Sequence, residues 1–147
     1  MQRLLPPVLV LILLIVMAAL YVLLPGPTIA PLPWNWVGVL PTLVGLALTF
    51  TGARLFGERK TNIRTFNDPT VLVTDGPFRY SRNPMYLGFA LFLTGVGIML
   101  GTLLPLLVGL SFWLIADRWY IPFEEAAMER RFGEQYAAYA KKVRRWF

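Results

Sequence analysis

Apolar and polar positions fall in long blocks along this chain. Residues 4–24 are almost wholly apolar, and about 20 such residues are enough to cross a bilayer. A cleaved signal peptide is the alternative reading, with Thr28-Ile-Ala30 as a weak cleavage-like site. A signal peptide's apolar core would run only roughly 7–15 residues. Pro6 and Pro7 suit a first helical turn. Residues 25–33 form a stiff, uncharged loop containing Pro25, Pro27, Pro31 and Pro33. Trp34 and Trp36 mark a membrane interface, and residues 36–56 are the second predicted span. A polar stretch follows at 57–83, with Val71-Leu-Val73 as a short extended piece and Asp75-Gly76-Pro77 as a turn. Residues 84–100 and about 103–121 are the third and fourth apolar segments, near the lower length limit for spanning, with Gly101-Thr102 and Pro105 between them.

Within these blocks the finer spacing is helical. Gly38, Gly45 and Gly52 recur every seven residues and so share one helix face. Gly88 and Gly95, with Thr102 beyond, repeat the spacing in the third segment. Small residues let helix backbones approach closely in lipid, so a packed helix pair is predicted. In the charged tail, 122–147, Glu125, Met128, Phe132, Tyr136, Tyr139 and Val143 fall on one stripe of an amphipathic helix lying along the membrane surface, which Gly133 would bend or break. Gly95-Val-Gly-Ile-Met-Leu-Gly101 mimics a nucleotide-binding glycine pattern, but nothing before it reads as the strand that fingerprint needs.

Composition sharpens this picture. Of 147 residues, 56% are hydrophobic and 15% charged, where a soluble domain carries roughly 25% charged residues. The length suits a single domain, 1–147, of an all-α membrane protein. About four transmembrane helices are expected, two of them in 1–56, followed by a C-terminal amphipathic helix at the cytoplasmic face. Cysteine and histidine are both absent. Disulfides, thiol nucleophiles, thiolate or imidazole metal sites and the commonest general base are thereby excluded, and no metal site is expected.

The net charge of +6 could suggest nucleic acid. Position argues against it, because the loops at 25–33 and 101–105 contain no Lys or Arg, and all 14 basic residues lie in the N-terminus, in 54–82 and in 118–145. This is a one-sided positive-inside pattern. It places both termini in the cytoplasm, explains the basicity by lipid headgroups, and brings 74–88 and the tail to one membrane face.

Most of the residues able to do chemistry lie there. Asn83-Pro84 reads as a helix start, with Asn83 as the cap and Pro84 at the first helical position. Arg82 stands beside that start, where the helix dipole favours an anion. A capped helix with a snorkelling arginine accounts for the same spacing without a ligand. Glu125 sits on the apolar stripe and Glu124 about 100° round the helix. Both could simply be solvated or ion-paired with Arg118 or Arg82. Alternatively they bind an ammonium group while Arg82 and the helix start bind a carboxylate or phosphate.

Gly76-Pro-Phe-Arg-Tyr-Ser-Arg-Asn-Pro-Met-Tyr-Leu-Gly88, then Glu124-Glu125, then Phe132-Gly-Glu-Gln-Tyr136 through Tyr139, Val143 and Arg145, resembles the integral-membrane methyltransferases of the isoprenylcysteine carboxyl methyltransferase and phospholipid N-methyltransferase superfamily. The match covers roughly residues 50–147. The resemblance implies that 57–147 supplies a cofactor-binding loop, a helical hairpin and a closing C-terminal helix. It implies S-adenosyl-L-methionine as cofactor and a tunnel open to lipid for a lipophilic acceptor. By the same resemblance Arg82, Asn83, Tyr86, Glu124 and Glu125 hold the cofactor's methionine end, with Arg82 and Glu125 closest to the chemistry. Gly76, Tyr80 and Gly88 would shape the pocket, and Tyr136 and Tyr139 would pack over the adenosine or behind it.

The chain has Asn83 where carboxyl methyltransferases of prenylated proteins usually have His. Its Asn-Pro-Met-Tyr is more similar to the phospholipid N-methyltransferases, while its tail is more similar to the carboxyl methyltransferases. The acceptor therefore stays open between a carboxylate and an amine. A membrane lipid reductase using NADPH and a non-enzymatic helix-packing subunit are the rival readings. The first is usually a much longer chain, and the second leaves Glu125 on an apolar stripe unexplained.

Overall fold

The computed structural model describes residues 4–24, 26–59 and 70–147. Lys60, Arg64 and Asp68 of the charged loop, and Pro25, lie outside the described residues. Helix α1 spans Pro6–Leu23, with proline in its first turn. A 3-10 turn, Trp34–Gly38, leads into α2, Val39–Glu58. A second 3-10 turn, Gly76–Arg79, precedes α3, Pro84–Leu100. Then come α4, Leu103–Ile115, a π turn, Ala116–Tyr120, α5, Ile121–Phe132, and α6, Glu134–Lys142. The fold is all-helical, and no strand occurs among the described residues.

Among the described residues, three helical stretches are long and apolar enough to cross a membrane: Pro6–Leu23, Trp34–Glu58 and Leu103–Phe132. The apolar α3 is shorter, at 17 residues, which is about 25 Å of helix. It is also the axis of the bundle, because α1, α2 and α4 all pack on it. Leu93 and Ala90 of α3, Met17 of α1 and Phe112 of α4 are wholly buried around this axis. By contrast, Leu11, Ile15 and Val22 of α1 and Leu40, Leu43 and Phe50 of α2 face outward, as lipid-facing side chains should.

The glycine stripe joins α2 to α3 as its spacing predicts. A Cβ built on Gly95 would lie 2.6 Å from the Gly38 carbonyl oxygen, and one on Gly88 would lie 2.6 Å from that of Gly45. The backbones therefore touch where each helix lacks a side chain. Thr42 and Thr49 of α2, beside these glycines, return their hydroxyls to the Gly38 and Gly45 carbonyls at 2.8 and 3.0 Å, so neither hydroxyl is left unpaired in lipid. Thr102 does not extend the stripe. It lies beyond Gly101, whose φ of +73° ends α3, and forms an isolated bridge with Thr28. The glycine-rich 95–101 stretch packs within α3 up to that turn.

Two elements depart from the sequence reading. The fourth apolar segment does not stop near 121 but runs as one helical stretch to Phe132. Pro122 would otherwise break that helix, since it lacks an N–H and crowds the preceding turn. The wider π turn at 116–120 absorbs this defect. The charged segment thus begins as a continuation of α4. Its single stripe is then interrupted at Gly133, with φ +50° and ψ −121°, and α6 turns back over the bundle end.

Candidate active site

One end of the bundle holds a cavity of about 310 Å³. Its apolar walls come from Pro6 and Pro7 of α1, Phe50 and Ala53 of α2, and Val73 and Phe78 of the intervening loop. Phe78 is held by stacking on Phe56 at 5.1 Å between ring centres. The polar end comes from Arg82 and Asn83, Tyr86 on α3, Glu124 and Glu125 on α5, and Tyr136 and Tyr139 on α6.

Seven of the ten site residues named from sequence are therefore brought together. The other three are not. Gly88 is buried in the α2–α3 contact, the Tyr80 side chain is 78% exposed, and Gly76 borders a separate shallow groove beside Arg54 and Glu58.

The charged groups form a chain. Arg82 Nη2 donates to Glu125 Oε1 at 2.8 Å, and both side chains are only 16% exposed. Arg82 Nη1 donates to the Ala140 carbonyl at 3.1 Å. Arg145 grips Glu125 from the other side, Nη2 to Oε2 at 2.6 Å and Nε to Oε1 at 3.3 Å, and reaches Asp117 through Nη1 at 3.2 Å. Hydrogen bonding to Glu125 pushes the Arg145 pKa further up, so this guanidinium stays charged. Glu124 accepts from the Tyr86 hydroxyl at 2.8 Å. Arg118 is not a partner of either glutamate; it is exposed and pairs with Asp117.

Asn83 departs from its expected role. Its side chain makes no cap on α3; Nδ2 donates instead to the Arg145 carbonyl at 3.0 Å. The backbone N–H of Asn83 is met by the Ser81 hydroxyl at 3.1 Å. The Arg145 carbonyl takes the side-chain amide because Asn83 is buried and its Nδ2 needs an acceptor there. Pro84 does take the first helical turn.

Tyr139 donates its hydroxyl to the Phe78 carbonyl at 2.6 Å, tying α6 to the cavity wall. Burial pushes the Tyr136 pKa up to about 12, and the Glu125 charge adds to this. Burial raises Tyr139 further, with Tyr136 beside it. Both phenols are therefore protonated donors at neutral pH.

A zwitterionic amino-acid ligand needs donors for its carboxylate and acceptors for its ammonium. The cavity offers both, together with an apolar body. Arg82 Nε is buried with no hydrogen-bond partner among the described residues, a donor left for a ligand. No group of metal-ligating side chains occurs among the described residues. The cavity's donors and acceptors suit a zwitterionic amino-acid ligand.

Sequence reading missed the walls on α1 and α2 and the strap formed by residues 143–147. The walls are ordinary apolar residues of spanning helices and carry no signal of their own. Arg145 belonged to the tail pattern, but its partner Asp117 lies 28 residues away.

Fold and site together define an integral-membrane protein with a charge-lined pocket at one end of a helical bundle. The chain belongs to the phospholipid methyltransferase family, whose profile matches residues 34–135. It is 29% identical over 114 residues to a probable protein-S-isoprenylcysteine O-methyltransferase of Oryza sativa subsp. indica, which covers 74% of this chain and 58% of that protein. It is 38% identical over 78 residues to the protein-S-isoprenylcysteine O-methyltransferase of Schizosaccharomyces pombe, covering 52% of this chain and 33% of that one. This chain thus spans about half or less of the length of these relatives. In fold it is similar to the eukaryotic intramembrane Ras methyltransferase ICMT, with a TM-score of 0.70 over 96% of this chain and 51% of that one, at 24% identity.

Proposed function

We propose that this protein transfers a methyl group from S-adenosyl-L-methionine to a lipophilic acceptor carrying a carboxylate, an isoprenylcysteine or a compound like it. The observation that carries the proposal is the meeting of Arg82, Asn83, Tyr86, Glu124 and Glu125 around one cavity whose remaining walls are apolar. In this reading Arg82 and Asn83 hold the cofactor's carboxylate, Glu124 and Glu125 its ammonium, and Phe78, Tyr136 and Tyr139 the adenosine side. When bound, the cofactor supplies an electrophilic methyl on sulfur. The chain's own residues bind, orient and exclude water, which is most of what an in-line displacement asks of them.

A carboxylate acceptor is favoured over an amine by what the cavity lacks. The chain has no histidine. Glu125 is held by two arginines and Glu124 by Tyr86, so neither is a free base for an ammonium proton. A carboxylate arrives already ionised at neutral pH. The apolar walls on α1 and α2 suit an acceptor chain entering from lipid. Amine methylation, as in the phospholipid N-methyltransferases, remains the second reading, favoured by Asn83-Pro84-Met85-Tyr86.

Arg82, Arg118, Arg144 and Arg145 lie at the cavity end of the bundle, and the Tyr120 hydroxyl ties the start of α1 there through the Leu4 carbonyl at 2.8 Å. With α3 as a short fourth span, this supports a topology with both termini and the site on the cytoplasmic side, and α6 at the membrane surface.

Incubating the purified protein with methyl-labelled S-adenosyl-L-methionine and either a prenylated cysteine or phosphatidylethanolamine, followed by mass spectrometry, tests the proposal. Labelled methyl ester is expected from the first. Label in the amine lipid alone would establish the second reading. Binding of NADPH with no transfer would favour a reductase, and no binding of either cofactor would favour a packing subunit.

A further inference from the structure

Residues 143–147 run between the loop entering α3 and the π turn, and both sides hold them. The Arg82 backbone N–H donates to the Arg144 carbonyl at 3.0 Å. The Arg145 carbonyl accepts from Asn83 Nδ2 at 3.0 Å and from the Ser81 hydroxyl at 3.3 Å. On the other side, Trp146 Nε1 donates to Asp117 Oδ1 at 3.0 Å, and the Trp146 ring lies 4.9 Å from that of Trp113. The backbone around Arg145 is thus fixed, and its guanidinium enters the charge cluster from one direction.

Neither Arg145 nor Asp117 lines the cavity. Yet Arg145 supplies two of the three arginine bonds on the Glu125 carboxylate. Those bonds set the plane of the carboxylate and divide its charge between two guanidiniums. Arg82 then spends one Nη on Glu125 and the other on the Ala140 carbonyl, while Nε stays unpaired. Without Arg145, Glu125 would have Arg82 as its one cation and could rotate to take more of that fork. Charge balance points the same way. Arg82, Arg118 and Arg145 offset Glu124, Glu125 and Asp117, and losing Arg145 would leave this cluster net negative and repel a ligand carboxylate.

We infer that Arg145, braced by Asp117, is a positioning residue: it fixes Glu125 from outside the cavity and so keeps Arg82 available to the carboxylate of an amino-acid-bearing nucleoside. The inference rests on the cofactor reading above. Its own content is that Arg145 acts on the amino-acid end of the ligand alone.

Calorimetry in detergent on wild type, R145Q, R145K and D117N, with S-adenosylhomocysteine and with 5′-methylthioadenosine, which lacks the amino-acid end, separates the two. R145Q should weaken S-adenosylhomocysteine by at least about tenfold, the loss of a charge-assisted contact. It should leave methylthioadenosine within about twofold, as a site with no shared partner would be. D117N should shift the first ligand in the same direction by less, and R145K should recover part of the loss. Equal weakening of both ligands, or of neither, overturns the inference. If wild type binds neither nucleoside, the cofactor reading fails, and thermal unfolding of R145Q, E125Q and the double variant decides the positioning role. Melting shifts that fail to add are expected, and strictly additive shifts would overturn it.

Discussion

The Arg82–Glu125 pair is a short, mostly buried ion pair at the polar end of the cavity. Losing Glu125 leaves the Arg82 charge without its carboxylate, at a cost of about 3–5 kcal/mol for a broken buried pair, whereas Glu125 would keep Arg145 if Arg82 were lost. Charge-retaining or isosteric variants are therefore the useful ones. Arg82→Lys keeps the charge but loses the fork that serves Glu125, Ala140 and a ligand together. It is expected to weaken S-adenosylhomocysteine at least about tenfold in calorimetry while the melting temperature falls only a few degrees. Tyr136 carries a different expectation. Its pKa is raised to about 12, so the folded state holds a proton that the unfolded phenol releases near pH 10. This stability is fully present below pH 10 and is lost as pH rises toward 12, at up to about 1.4 kcal/mol per pH unit. Glu125, Glu129, Arg82 and Arg145 also act on this phenol, so Tyr136→Phe, which removes only the titrating proton, is the control. Melting between pH 8 and 11 should be flatter in that variant. Arg82 and the two glutamates were legible in the sequence because charged groups are rare in an apolar chain and conspicuous at helix ends, whereas Tyr86 was marked only by the family resemblance. The turning of Asn83 away from α3 was not legible, because the carbonyl that captures it lies 62 residues further on.

At the scale of elements, α2 and α3 are held by an absence of side chains. Gly95→Ala would put a methyl 2.6 Å from both the Gly38 carbonyl oxygen and the Thr42 nitrogen. Backbone atoms cannot swing aside, so the helices must separate. A loss of about 1–3 kcal/mol is expected in thermal unfolding, with a smaller effect on ligand affinity than Arg82→Lys, because Gly38, Thr42 and Gly95 do not line the cavity. Gly133 works differently. No atom lies within 4 Å of a Cβ there, but its φ of +50° disfavours any other residue. Gly133→Ala should cost about 1–2 kcal/mol and, by displacing α6 with Tyr136 and Tyr139, also weaken S-adenosylhomocysteine. The glycine stripe was readable because a seven-residue period maps directly onto one helix face. The unbroken passage from α4 into α5 was not. A proline inside a run of ionisable residues reads locally as an end, and only the π turn lets the helix continue through it.

For the whole molecule, the proposed topology puts the cavity end of the bundle in the cytoplasm. The natural chain has no cysteine, so single introduced cysteines report cleanly on sidedness. Lys142→Cys should react with an impermeant maleimide only after the cytoplasmic side is opened, and Thr28→Cys from the other side; the reverse pattern would invert the topology. The account as a whole depends on one zwitterionic nucleoside fitting among Arg82, Asn83, Glu124 and Glu125. Titration of S-adenosylhomocysteine into the wild-type protein, Arg82→Lys and Glu125→Gln in detergent tests this most directly. The account expects saturable binding at one site in wild type and at least about tenfold weaker binding in each folded variant. Wild-type affinity in both folded variants, or no binding by the wild type, would contradict it.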